Sequence, residues 1–186
     1  RNSNRIWSAP KITMSSCSPS TEQGESQMIN DQSQMTIVII NGPNLNRLGV
    51  RNPEIYGNRT MAQILLDIQQ RWPDIHFVYR QSNHEGDLID WIQEVNDESP
   101  MTNDQSPMGI ILNAGGYTHT SVALRDAIED SEIPVIEVHI SDIAKREPFR
   151  RTSLLTDVCA HSIIGHGVDG YAEAVQWLHT HNNTQG

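Results

Sequence analysis

Side chains that can transfer protons or bind small anions are concentrated just after three apolar segments of the chain. The first group comprises Asn44, Arg51 and Tyr56, the second Asn113 and His119, and the third Glu137, His139, Ser141, Arg146 and Arg150. Histidine, tyrosine and carboxylate side chains act as general acids and bases, whereas arginine and asparagine bind anions and hydroxyls. If the three groups converge in space, the sequence predicts a single site suited to acid–base chemistry.

Apolar segments alternate with amphipathic segments from residue 36 onward, which is typical of a parallel α/β sheet. The predicted strands are 36–41, 75–80, 108–113, 134–139 and 161–165, and the predicted helices are 60–72, 84–97, 120–130 and 169–180. We expect a single-domain, flavodoxin-like, doubly wound five-stranded sheet of order 2-1-3-4-5. Strands 1, 3 and 4 are neighbours in that order, so the three polar groups should open onto one crevice at the carboxyl edge.

Four segments resemble motifs of the type II 3-dehydroquinate dehydratases. They are residues 41–49 (NGPNLNRLG), 80–86 (RQSNHEG), 113–121 (NAGGYTHTS) and the stretch from 137–141 (EVHIS) to Arg150. The resemblance covers about residues 36–180. It implies dehydration of 3-dehydroquinate to 3-dehydroshikimate by anti elimination through an enolate, without a cofactor, in the shikimate pathway or in quinate catabolism. It also implies a homododecamer of four trimers.

The resemblance assigns roles to individual residues. It implies that Tyr56 is the base that takes the α-proton, and that Arg51 is the cation that favours the phenolate form of Tyr56. It implies that His139 protonates the leaving hydroxyl and that Asn44 positions a water molecule or binds the enolate oxygen. Glu137, two residues before His139 on the same face of the strand, would orient or charge that histidine.

Further residues resemble the substrate contacts of the family. The backbone amides of Ile140 and Ser141, with the Ser141 hydroxyl, correspond to a cradle for the substrate carboxylate. Asn113, His119 and Arg150 resemble residues of the family that contact the substrate hydroxyls. Arg146 resembles a lid or interface residue. Asp126 corresponds to a position that reaches a neighbouring subunit's site. We expect residues 47–57 to form a mobile lid, because glycines flank a polar loop there.

The inventory of side chains agrees with a route that needs no cofactor. A Schiff-base mechanism requires a suitable lysine, and Lys145 is the only lysine from residue 36 onward. It lies in a charged loop that suits this role poorly. No His-Glu-x-x-His metal motif is present in the sequence, and we expect no metal site.

Composition and charge exclude several classes of partner. The chain carries 23 acidic and 13 basic residues, a formal net charge of −10, and an acidic body argues against nucleic acid binding. Cys17 and Cys159 do not make a disulfide framework. No apolar run approaches the ~18 residues of a membrane helix. We therefore expect a cytoplasmic protein without membrane association.

The first 35 residues differ in composition from the rest. They are rich in Ser, Gln, Asn, Thr and Pro, so we expect a disordered tail over residues 1–35 and a catalytic domain over residues 36–186. Met14, Met28 and Met35 are all possible start residues.

Two other functions remain open at this point. One is a flavodoxin-like binding module for FMN or a phosphorylated signal, although no Ser/Thr/Gly phosphate loop follows the first strand and Pro43 removes an amide donor there. The other is a metal hydrolase built on His119 and His139, although the sequence lacks a cluster of acidic ligands around them.

Overall fold

The computed structural model describes residues 35–50, 57–98 and 107–182 of the chain. Apart from Met35, the predicted tail lies outside the described residues, as do Arg51 and Tyr56.

Within the described residues, five parallel strands form one sheet of order β2-β1-β3-β4-β5, which confirms the predicted topology. The strands are β1 (Met35–Asn41), β2 (Ile75–Gln81), β3 (Pro107–Asn113), β4 (Val135–His139) and β5 (His161–Ile164). The α-helices are α1 (Met61–Arg71), α2 (Glu85–Glu98), α3 (Val122–Glu129) and α4 (Gly170–Asn182). No helix in this part of the chain is long and apolar enough to cross a membrane.

The interior strand β1 is buried on both faces, as a parallel sheet covered by helices requires. Ile37 and Ile39 pack into one hydrophobic core with residues of α1 and α4. Val38 and Ile40, on the opposite face, pack into a second core with residues of α2 and α3. The polar groups lie along the carboxyl edge of the sheet that these two cores cover.

Hydroxyl side chains cap the N-termini of two of the helices. The Thr60 hydroxyl accepts a hydrogen bond from the Gln63 backbone, and the Gln63 side chain accepts one from the Thr60 backbone, which together form a capping box before α1. Ser121 Oγ accepts the Leu124 N–H at 2.8 Å before α3. The 3-10 turn Gly115–His119 precedes that cap and places His119 beside the ends of the strands.

Candidate active site

The carboxyl ends of β1, β3 and β4 open onto one cleft of about 180 Å³. It is lined by Pro43, Asn44, Leu45, Arg47 and Leu48 after β1, by Asn113, Gly115, Gly116 and His119 at the end of β3, and by His139, Ile140, Ser141, Ile143, Arg146 and Arg150 after β4. Three arginines, two histidines and no carboxylate are among these described lining residues. The cleft therefore favours an anionic ligand, although the chain as a whole is acidic.

The loop after β1 is held in place by the loop after β2. Asn44 has a left-handed backbone with φ of 68°, a conformation that asparagine tolerates, and it begins the 3-10 turn Leu45–Arg47. Its backbone N–H donates to Asn83 Oδ1 at 2.9 Å, and the Tyr117 hydroxyl donates to the Asn83 carbonyl at 2.8 Å. Asn83 thus joins the loops that follow β1 and β3.

Gly42 allows β1 and β3 to meet at the floor of the cleft. Its N–H donates to the Asn113 carbonyl at 2.8 Å. A Cβ at this position would lie 2.5 Å from the Ala114 carbonyl oxygen, closer than side chains approach backbone. Only glycine fits here, because the two strand ends are too close for any side chain.

A buried polar network orients Asn113. The hydroxyl of Tyr171, a fully buried residue of α4, accepts from Asn113 Nδ2 at 3.1 Å and donates to Asn41 Oδ1 at 2.8 Å. Asn113 Oδ1 accepts the Gly115 N–H at 3.2 Å. Burial raises the pKa of Tyr171 well above its ordinary value, so its hydroxyl stays protonated. These bonds fix the amide of Asn113 and leave its second Nδ2 hydrogen for a ligand.

Glu137 is fully buried and accepts hydrogen bonds from five groups. The donors are Thr118, Ser153 and His139 Nε2 to Oε1, each at 2.7 Å, and Thr156 at 2.7 Å and Ser162 at 3.0 Å to Oε2. Burial by itself raises the pKa of this carboxyl. The hydrogen bond and charge of His139, followed by the hydrogen bonds of Ser153 and Thr156, outweigh burial and lower the pKa to about 2. Glu137 is therefore an anion at neutral pH.

The ionised Glu137 determines which nitrogen of His139 faces the ligand. A carboxylate only accepts hydrogen bonds, so His139 Nε2 carries a proton and Nδ1 is left for the cleft. The ring of His119 has the opposite arrangement of its nitrogens. Its Nδ1 donates to the Thr152 carbonyl at 2.8 Å, so its Nε2 is available for a ligand. The two rings stack with centroids 6.5 Å apart. Two oriented imidazoles therefore lie side by side at the cleft.

The loop after β4 supplies groups that suit a carboxylate. Within the described part of the chain, the backbone N–H groups of Ile140 and Ser141 have no hydrogen-bond partner. Arg146 Nη1 donates to Ser141 Oγ at 3.1 Å, which places a cation beside these two amides. Two amides, one hydroxyl and one guanidinium can together bind a carboxylate group.

Arg150 lies at the mouth of the cleft and is positioned by its neighbours. Its Nε lies 3.4 Å from a carboxylate oxygen of Glu147. Its guanidinium lies 5.2 Å above the ring centroid of Phe149, a cation–π contact. Although Nε is buried, it makes no hydrogen bond to any described residue.

Four of the predicted site residues are not among the described residues that line this cleft. Arg51 and Tyr56 lie outside the described residues, and the predicted lid 47–57 is described only at residues 47–50 and 57. Asp126 is exposed on α3 and does not line the cleft of its own chain. Glu137 lies behind His139 rather than in the lining.

Seven residues that support the site were assigned no role from the sequence. They are Asn41, Asn83, Thr118, Ser153, Thr156, Ser162 and Tyr171. One signal was available for Ser162, because it is the register partner of Glu137 once β4 and β5 are paired in parallel. Among the described residues, no group of three or more His, Cys, Asp or Glu side chains is arranged to hold a metal ion.

Comparison with known proteins decides the family. The model of the family "Dehydroquinase class II" matches residues 35–179. The chain belongs to the type II dehydroquinase family. A 3-dehydroquinate dehydratase of Rhodopseudomonas palustris (strain HaA2) is 47% identical over 145 residues, which cover 77% of this chain and 91% of the relative. A relative of the same name from Prochlorococcus marinus (strain MIT 9301) is 46% identical over 146 residues, which cover 77% of this chain and 94% of the relative.

A solved type II dehydroquinase has the same fold. The crystal structure of the protein from Butyrivibrio crossotus DSM 2876 superposes with a TM-score of 0.72 at 43% identity, and the match covers 79% of this chain and 99% of the other. Membership of this family of enzymes favours catalysis over the alternatives of an FMN-binding module and a metal hydrolase.

Proposed function

We propose that this protein is a 3-dehydroquinate dehydratase, a hydro-lyase that converts 3-dehydroquinate to 3-dehydroshikimate and water. The pathway is shikimate biosynthesis or quinate catabolism. The observation that carries the proposal is the pairing of His139 with the ionised Glu137 at an anion-binding cleft, in a chain of the type II dehydroquinase family.

The reaction begins with removal of the proton on the carbon next to the ketone. In our proposal Tyr56 is the base, and Arg51 beside it stabilises the phenolate. Support comes from their place in the sequence, on the loop whose first residues line the cleft. The electrons of the broken C–H bond move into the ketone, and the enolate oxygen is stabilised by Asn44 directly or through a water molecule.

Collapse of the enolate forms the C=C bond and expels the hydroxyl on the next carbon. His139 donates its Nδ1 proton to that hydroxyl, which leaves as water. Glu137 holds the ring through its Nε2–H at 2.7 Å and so presents Nδ1 to the leaving hydroxyl. One proton is taken and one is given, so the products are the enone and water, and the reaction needs no cofactor.

The rest of the cleft holds the substrate in place. The amides of Ile140 and Ser141, with the Ser141 hydroxyl, bind the carboxylate. Asn113, His119 and Arg150 bind the ring hydroxyls, for which the second Nδ2 hydrogen of Asn113 and the unbonded Nε2 of His119 are suitable partners.

The assembly and location are part of the same proposal. We propose a cytoplasmic homododecamer, a tetramer of trimers, in which Asp126 reaches the active site of a neighbouring subunit. Its exposed position on α3, outside the cleft of its own chain, is consistent with that role.

The proposal is tested by following ultraviolet absorbance of 3-dehydroquinate with purified protein in EDTA and without added cofactor. The conjugated enone of the product absorbs where the substrate does not, so absorbance should rise with wild type and stay flat with Tyr56→Phe. Tyr79→Phe is the matched control, since Tyr79 lies on β2 outside the lining of the cleft, and it should retain turnover. A flat trace from folded wild-type protein would refute the proposed function.

A further inference from the structure

Four hydroxyl groups surround the carboxylate of Glu137, and we call them the hydroxyl cluster. The hydroxyl cluster consists of Thr118 from the 3-10 turn before α3, Ser153 and Thr156 from the segment 152–156, and Ser162 from β5. None of these residues is among those that line the cleft, so they do not touch the substrate. Apart from the Thr118 hydroxyl, which also lies 3.5 Å from His139 Nε2, their contact with the catalytic pair is through Glu137.

The segment 152–156 is firmly anchored. The Leu154 N–H donates to the Thr118 carbonyl at 2.8 Å, and Arg125 Nη1 donates to the Leu154 carbonyl at 2.6 Å. The Thr152 carbonyl at its start accepts the hydrogen bond that orients His119. One short segment therefore orients His119 directly and contacts Glu137 through two hydroxyls.

Within this segment Ser153 and Thr156 differ in what else they do. Ser153 Oγ also accepts the N–H groups of Leu155 at 3.0 Å and Thr156 at 3.2 Å, so it shapes the turn as well as the site. The Thr156 hydroxyl donates to Glu137 Oε2 at 2.7 Å and makes no other hydrogen bond to a described residue. Thr156 is therefore the position at which the hydroxyl can be removed with least disturbance.

Hydrogen bonds to a carboxylate stabilise its charged form. With Glu137 ionised, the proton between the pair lies on His139 Nε2, and the carboxylate offsets the positive charge of a ring that also carries a proton on Nδ1. With Glu137 protonated, the proton between the pair lies on the carboxyl and that offsetting charge is lost. We propose that the hydroxyl cluster consists of positioning residues that keep the shared proton on His139, and that Thr156 is one of them for the dehydration step.

Few other described groups near Glu137 can influence where the shared proton lies. His139 is the partner on its own strand, and His119 stacks on the far side of that ring. The thiol of Cys159 also lies near Glu137, but burial and then the Glu137 charge raise its pKa to about 12, so it stays neutral. The guanidinium of Arg125 acts on the Cys159 thiol and hydrogen-bonds the Leu154 carbonyl rather than Glu137.

The test compares Thr156→Val, which removes the hydroxyl at nearly constant volume, with Thr156→Ser, which keeps it. Because this inference rests on the proposed function, the first readout is steady-state dehydration of 3-dehydroquinate between pH 4 and 8. We expect kcat of Thr156→Val to fall about tenfold with KM little changed, and its acid limb to move to higher pH. Thr156→Ser should restore both the wild-type kcat and its pH profile. Ser131→Ala, which removes a partly buried hydroxyl away from the cleft, is the control and should match wild type.

A second readout does not depend on turnover, so it separates this inference from the proposed function. In Thr156→Val the folded Glu137 takes up a proton at a higher pH, so folded and unfolded states differ less in proton uptake. The fall in Tm between pH 6 and pH 3 should therefore be smaller in Thr156→Val than in Thr156→Ser. A purely structural defect would lower Tm equally at both pH values. Identical acid dependence of Tm in the two variants, together with an unshifted pH profile of kcat, would overturn the proposal.

Discussion

At the scale of single residues, Glu137 is the one carboxylate that is buried within the described chain. It has no solvent exposure, and burial of an uncompensated carboxylate costs several kcal/mol. Five donors offset that cost and keep it ionised. A buried anion next to the histidine of a cleft provides a fixed electrostatic environment, which needs no rearrangement when the imidazolium gives up its proton.

Replacing this carboxylate tests its role. Glu137→Gln places an amide NH₂ among groups that are themselves donors, so at least one donor is left unsatisfied in the interior. We expect a loss of about 3 kcal/mol in the free energy of unfolding and a fall of about 100-fold in kcat. Urea unfolding and the absorbance assay measure the two effects. Glu94→Gln, which alters an exposed ion pair with Arg80, should change both only slightly, and an equal effect of the two variants would contradict the assignment.

The same residue contributes to the pH dependence of stability. The folded pKa of Glu137 is about 2, below the ordinary value that applies in the unfolded chain. Its contribution is therefore fully present above the unfolded pKa of 4.5 and is lost as pH falls toward 2. Glu137→Gln should lose less Tm than wild type between pH 5 and pH 3.

Replacing Lys145 tests whether the reaction follows an enolate route or a Schiff-base route. Its side chain is 83% exposed and pairs with Asp142, and it is not among the residues that line the cleft. Lys145→Ala should keep wild-type kcat and KM, and borohydride added with substrate should not inactivate either protein. Loss of activity in Lys145→Ala, or substrate-dependent inactivation by borohydride, would contradict the proposed chemistry.

Which residues could be predicted from the sequence depends on how they are placed in the chain. His139 and Asn113 directly end strands, so the topology alone brings them to the cleft. Thr118, Ser153 and Thr156 lie in turns, and only the three-dimensional path of the segment 152–156 brings them to Glu137. Serine and threonine are common in turns, so their presence there carried no signal.

At the scale of elements, the predicted helices and strands agree with the structure to within two residues at each end. The alternation of apolar and amphipathic segments was sufficient for this, because nearly all strands are short and apolar and the helices are amphipathic. The predicted last helix, 169–180, includes Tyr171. It did not indicate that the hydroxyl of Tyr171 bridges Asn41 and Asn113, because a helix face defines direction but not partners.

That bridge predicts how helix α4 supports the cleft. In Tyr171→Phe the side chains of Asn41 and Asn113 each lose a buried partner, so we expect a loss of about 1–3 kcal/mol in the free energy of unfolding. The freed amide of Asn113 should also raise KM for the substrate more than it lowers kcat. Tyr79→Phe is the matched control, since Asn41 Nδ2 reaches the Tyr79 hydroxyl only at 3.5 Å, and its effect should be smaller. Equal losses in the two variants would show that the bridge has no special role.

At the scale of the whole molecule, the proposed assembly predicts complementation between subunits. If Asp126 acts in a neighbouring site and Tyr56 in its own, both Asp126→Ala and Tyr56→Phe should have little activity as pure assemblies. Mixed assemblies formed by dissociation and reassociation of the two should recover activity, since some sites then combine an intact Tyr56 with an intact neighbouring Asp126. No recovery in assemblies that mass measurement proves to be mixed would contradict a shared site.

The central claim is that Tyr56 takes a proton and His139 gives one in separate steps. Proton NMR of 3-dehydroquinate in D₂O tests it most directly, by following exchange of the hydrogens next to the ketone in substrate that has not yet reacted. His139→Gln, whose amide can still donate to Glu137, should catalyse exchange faster than the blank but little dehydration, whereas Tyr56→Phe should catalyse neither. Exchange catalysed by Tyr56→Phe, or full dehydration by His139→Gln, would contradict these assignments.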